Sequence, residues 1–231
     1  MTGAPSTARR TGRLVLTELR LYAVIVPWLL RRRDVPAAGQ AWPYAALVAP
    51  VLWLWVFGSA TEVVVFHLII PWETVRLVVD VIGVWGLVWM VGLLASYRVK
   101  PHVLLPDRLI VRNGVQHDIA VQTADIVSAV AREVELPSAM RSLHVLADGD
   151  AQHVSVGVSG RTNVVLTLRP GTPLRTASGV VAAATLGLWV DEPRKLTAQL
   201  QQRIASAAAT GGTTSTPGTG GRPRSPGSSA P

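Results

Sequence analysis

Cysteine is absent from the chain, which excludes disulfides, thiol nucleophiles, iron–sulfur clusters and cysteine-ligated zinc. Charge is sparse: 16% of the 231 residues are Asp, Glu, Lys or Arg, against roughly 25% in an ordinary soluble domain. With 49% apolar residues, that shortage argues against a wholly soluble or wholly disordered protein. Aromatic rings are nearly missing from the second half. After Tyr97 only Trp189 remains, whereas the other seven tryptophans, all three tyrosines and both phenylalanines lie between Tyr22 and Tyr97. GxSxG, GxGxxG, P-loop and HExxH spacings are absent too. His102, His117, His144 and His153 are too scattered to act together as ligands. The chain is therefore expected to carry no catalytic residue, metal or cofactor, and not to be an enzyme.

What the chain does have is two long apolar runs. Tyr44 to Ile70 is interrupted only by Glu62 and His67, and Val75 to Tyr97 only by Arg76 and Asp80. Each exceeds the ~20 residues that cross a hydrocarbon core as a helix. Pro71-Trp72-Glu73-Thr74 separates them as a tight turn, so residues 44–97 are expected to form a transmembrane helical hairpin. Arg31, Arg32 and Arg33 precede the first run, and Arg98 and Lys100 follow the second. That juxtamembrane basic set places both termini in the cytoplasm and the turn outside. It also attracts anionic lipid headgroups, at about 1 kcal/mol per residue. Trp42, Tyr44 and Tyr97 are expected in the inner aromatic belt, with Trp72 in the outer one.

Residues 14–43 read as an interfacial helix and linker. The apolar stretch Leu14–Leu30 contains Glu18, Arg20 and Pro27, and as a third span it would need a basic flank outside; a helix lying in the inner membrane interface fits better. The ends, residues 1–13 and 208–231, are rich in Gly, Ser, Thr and Pro with little to bury. They are expected to be disordered.

After Tyr97 the pattern changes to alternation. RVKPHVLL, DRLIVRNG and VQHDIAV are short runs separated by Pro106-Asp107 and Asn113-Gly114, a meander of hairpins. DIVSAVAREV is a fourth strand or a helix. QHVSVGVS and NVVLTLR flank Ser159-Gly160-Arg161, ATLGLWV is the last strand, and Asp148-Gly149-Asp150 reads as a hairpin turn. Asp191-Glu192-Pro193 then opens a helix whose Leu196, Leu200 and Ile204 form one apolar stripe. The expected fold is α+β: a transmembrane hairpin, then a small β-barrel or two-sheet domain over residues 98–207, with a C-terminal helix covering one open end.

The segments EVVVFHLIIPW, WGLVWMVGLLASYRVKPHVLLPDRLIVRNG and LGLWVDEPRKLTAQL resemble integral membrane proteins of unknown function from high-GC Gram-positive bacteria that carry a cytoplasmic bacterial PH-like domain. The resemblance covers about residues 14–207. It implies architecture and a plasma-membrane location more than an activity.

Glu62, His67, Arg76 and Asp80 form an intramembrane polar cluster. Counted from the turn, Glu62 and Asp80 lie at nearly equal depth on opposing helices, where one carboxyl can donate a hydrogen bond to the other. Such residues either bind protons or ions, or hold helices together. Two functions follow. The first is a membrane-anchored adaptor or scaffold whose PH-like domain binds a protein or lipid partner. The second is a transporter or channel subunit, necessarily a homo-oligomer, using Glu62 and Asp80. Nucleic acid is not expected as a partner, because the rings that could stack on bases lie in the membrane.

Overall fold

The computed structural model describes residues 16–148, 151–176 and 179–211. The ends expected to be disordered lie outside these residues, except for 208–211, and so do Gly149 and Asp150 of the expected turn.

Residues 16–23 are helical and lead into the short helix α1 (Ile25–Leu29). The strand β1 (Gln40–Trp42) follows, then two long helices, α2 (Ala49–Ile69) and α3 (Glu73–Val99), which pack on each other. Pro50 sits in the first turn of α2, where its missing N–H costs nothing. At 1.5 Å per residue the two helices are about 32 and 40 Å long, and both are long and apolar enough to span a membrane. Their apolar side chains are mostly uncovered: Leu54, Phe57 and Leu68 on α2 and Ile82 and Trp85 on α3 are all more than 60% exposed.

The remaining strands are β2 (His102–Leu104), β3 (Arg108–Asn113), β4 (His117–Gln122), β5 (Ile126–Glu135), β6 (Leu143–Asp148), β7 (Ala151–Val156), β8 (Arg161–Thr176) and β9 (Gly179–Leu188). They form two sheets, ordered β1-β2-β3-β4 and β5-β8-β9-β7-β6, and neither closes into a barrel. The pairing is antiparallel except between β7 and β9. The segment 126–135, open between strand and helix on sequence, is strand. β1 and β6 were not expected. The first matters most, because β1 lies before the hairpin and pairs with β2 after it, with Trp42 opposite His102. The β domain is therefore assembled from both sides of the hairpin.

The core between the sheets is aliphatic, built on Leu104, Leu109, Ile119, Leu166, Leu186 and Leu188, with Trp42 as its ring. The last helix, α4 (Pro193–Gly211), starts where the Asp-Glu-Pro signal puts it. It lays Leu196 and Leu200, both fully buried, and the partly buried Ile204 over that core. α4 continues through residues 208–211, which composition assigns to the tail. Three consecutive alanines, Ala207 to Ala209, are strong helix formers and carry it on.

Residues 16–23 approach α3 closely. A side chain at Gly92 would stand 2.9 Å from the carbonyl oxygen of Leu21, so glycine is what admits the helix. Trp85 donates its indole N–H to the Tyr22 hydroxyl, and Val24 packs on Ala95 and Val99. Gly92→Leu is expected to lift this segment off α3, read as faster amide hydrogen exchange across residues 16–23. Unchanged exchange would mean that another contact holds it.

Candidate functional site

The polar cluster in the hairpin is arranged differently from the sequence expectation. His67 Nδ1 lies 2.7 Å from Asp80 Oδ2, joining α2 to α3. Glu62 is exposed and lines a groove of about 290 Å³ with Ser59, Gly83 and Gly86; it does not meet Asp80. Arg76 makes no ion pair with Asp80 among the described residues. Equal depth along the axis was the wrong criterion, because side chains lean toward their own helix N-terminus. On α2 that direction is away from the turn, and on α3 it is toward it. His67, near the turn, leans down while Asp80, deeper, leans up, and they meet. Glu62 and Asp80 start level and lean apart. Azimuth agrees: Val63, one turn from His67, packs against Gly83, so that face of α2 is the one turned to α3. The Oδ1 of Asp80 is buried without a hydrogen-bond partner.

The second arrangement lies at the open end of the hairpin, where α2, α3 and the β domain meet. Trp42 and Tyr44 are not in an aromatic belt but buried in protein. Tyr44 stacks on His102, with ring centroids 4.4 Å apart, and stands edge-on to Tyr97 at 5.7 Å. Its hydroxyl accepts the Gly114 N–H at 2.6 Å. Gly114 supplies the positive φ of the β3–β4 turn. His102 Nε2 donates to the Trp189 carbonyl at 2.8 Å, and its Nδ1 accepts the Arg112 N–H at 2.9 Å. Both ring nitrogens are thereby used by the neutral tautomer. Burial pushes the His102 pKa down to about 4, the Trp189 carbonyl opposing and the Arg112 charge adding to the fall. Sequence reasoning scattered these residues; the one signal was the pair of proline-flanked segments, Trp42-Pro43-Tyr44 and Lys100-Pro101-His102, at the two ends of the hairpin.

Beside this junction is a cleft of about 480 Å³. Arg31, Arg32, Arg33 and Arg98 line it together with Trp28, Ala45 and Ala49. Lys100, the fifth member of the expected basic set, is drawn away into an ion pair with Asp34 at 3.3 Å. The arginine run is pinned along its backbone. Arg31 and Arg32 donate their N–H groups to the carbonyls of Trp28 and Pro27, and Asp34 donates to Val99. The first two bonds are those of a Schellman cap. Its left-handed position, normally glycine, is held by Arg31 at φ 55°, at a cost of about 1–2 kcal/mol. None of the four guanidiniums has an ion-pair partner among the described residues. The one acid in the lining, Asp191, accepts the Ala46 N–H at 3.1 Å. Burial raises its pKa, and that hydrogen bond partly offsets the rise.

Two further histidines have local roles, while the Nδ1 of His117 is buried without a hydrogen-bond partner. His144 Nε2 donates to the carbonyls of Ser138 and Arg141, and His153 Nδ1 bonds the Thr185 hydroxyl. No group of three or more metal-ligating side chains gathers among the described residues. No protein family, curated protein or solved structure matches the chain.

Proposed function

We propose that the chain is an integral plasma-membrane adaptor or scaffold. Its hairpin crosses the bilayer and holds a PH-like β domain against the cytoplasmic face, where that domain engages a protein or lipid partner. The observation that carries this reading is the β1–β2 pairing. It joins the two ends of the hairpin in one sheet, so the domain is tied to the open end through both of them. The uncovered apolar surface of α2 and α3 needs a nonaqueous surrounding. The basic residues crowd the open end, which supports a cytoplasmic placement. The transporter reading loses its central pair, since Glu62 and Asp80 stand apart and Asp80 is already engaged by His67.

A chain without native cysteine permits a direct test. Trp72→Cys, at the turn, is expected to react with a membrane-impermeant maleimide on intact cells. Ala205→Cys, on α4, is expected to react only after permeabilisation. Labelling of Ala205→Cys from outside, or protection of Trp72→Cys, would overturn the topology.

A further inference from the structure

We propose that the cleft at the open end of the hairpin binds the phosphate of an anionic phospholipid, with Arg31, Arg32, Arg33 and Arg98 as its ligands. The inference rests on the membrane reading above and gives it a partner of defined chemistry.

Four cations share one cleft with a single carboxylate, and that carboxylate is already engaged by a backbone N–H. Elsewhere in the same region the basic side chains are matched: Lys100 and Arg112 both reach Asp34, and Arg112 also reaches Asp118. The four without an ion-pair partner among the described residues are those that line the one cleft. Guanidinium is the group suited to forked hydrogen bonding of phosphate oxygens. The run is also preorganised, since three of its backbone N–H groups, those of Arg31, Arg32 and Asp34, are tied to α1 and α3. Arg31 holds a left-handed backbone that glycine would adopt without strain. Retaining a long cationic side chain there is what a site requires and what a cap alone does not.

The lipid source follows from what surrounds the cleft. α2 begins and α3 ends at its edge, so its depth is that of the headgroups. Trp28, on the wall, packs on Trp53. Val26 and Leu29 of the same helix, and Leu30 just after it, are at least 60% exposed, an apolar surface along which acyl chains can lie while the phosphate meets the arginines. A free phosphate would use the arginines and leave that surface unexplained.

The test uses the full chain, purified in a neutral detergent and first shown to sediment with membranes before extraction. Native mass spectrometry and thermal melting follow the addition of phosphatidylglycerol, phosphatidylcholine, or inorganic phosphate with glycerol 3-phosphate at matched concentration. One phosphatidylglycerol per chain is expected to be retained and to raise the melting temperature, with at least tenfold weaker binding of phosphatidylcholine. Arg32→Gln with Arg98→Gln is expected to weaken phosphatidylglycerol binding at least tenfold without changing the melt of the lipid-free protein. Arg31→Gly separates site from cap: it is expected to melt no lower than the parent without lipid, yet to lose most of the lipid-induced rise. Equal binding of both lipids, or undiminished binding by the arginine variants, would overturn the proposal. Equal stabilisation by the soluble phosphates would reassign the cleft to a free phosphate ligand and overturn the lipid source. Failure to sediment with membranes would instead overturn the membrane reading and this proposal with it, whereas a sedimenting protein without lipid preference would leave the membrane reading standing.

Discussion

His102→Leu is expected to destabilise the β domain by about 2–6 kcal/mol, because it strands two buried backbone groups, the Arg112 N–H and the Trp189 carbonyl, at roughly 1–3 kcal/mol each. The stack on Tyr44 is lost as well. The same residue makes stability depend on pH. In the unfolded chain His102 titrates near 6.5; in the native protein it does so near 4. Between those values the unfolded state takes a proton that the folded state refuses, so stability falls as pH is lowered from 6.5 toward 4. About 3 kcal/mol is lost over the interval, and this group contributes no change above it. His117, its pKa also lowered by burial, adds in the same direction. Asp191, its pKa raised by burial, opposes it as the carboxylate range is approached. His102→Gln keeps a donor and an acceptor but no titratable ring. It is expected to be less stable than the parent at pH 7.5, with the gap narrowing as the pH falls. Denaturant unfolding of the detergent-solubilised protein at a series of pH values measures this; parallel curves for parent and variant would remove His102 as the source.

The second large effect is expected at α4. Leu200 is fully buried against the two-sheet core, and Leu200→Ala is expected to cost about 2–5 kcal/mol, the range for a buried leucine cut back to alanine. Leu200→Asp should cost more, since the carboxylate has no partner there. The hairpin does not depend on that contact, so under the membrane reading proposed above both variants are expected to stay in the membrane fraction while the β domain becomes sensitive to protease. Gln202→Ala, on the exposed side of the same helix, should stay within about 0.5 kcal/mol of the parent. Equal protease resistance in Leu200→Asp and the parent would mean that α4 is not part of the core.

Much of this architecture can be read from local pattern. Apolar runs of spanning length, the Asn113-Gly114 turn, the alternation in β3, β4, β7 and β8, and the Leu196-Leu200-Ile204 stripe each depend on residues close together in sequence. What escapes is whatever depends on distant partners or on side-chain direction. β1 is three residues long and has no period to detect; it is a strand only because β2, some sixty residues later, lies beside it. The His67–Asp80 contact is hidden from a count of depth, because that count tracks the backbone while the side chains lean in opposite senses. The five juxtamembrane basic residues look equivalent on sequence. Only the return of Asp34 to the end of α3 claims Lys100 and leaves the four arginines to one cleft.

The β1–β2 pairing also sets an order on the birth of the molecule. A ribosome completes β1 long before it makes β2, and domains made during synthesis generally fold as units. Here the first strand of the sheet must wait, unpaired, until the whole hairpin has emerged and its two ends have come together. Under the membrane reading proposed above, a chain whose hairpin inserts only one helix carries β1 and β2 on opposite faces of the bilayer, and its four-stranded sheet cannot close up to β1. On that reading, completion of the β domain depends on insertion of both helices, and a misinserted copy presents an unfinished sheet edge.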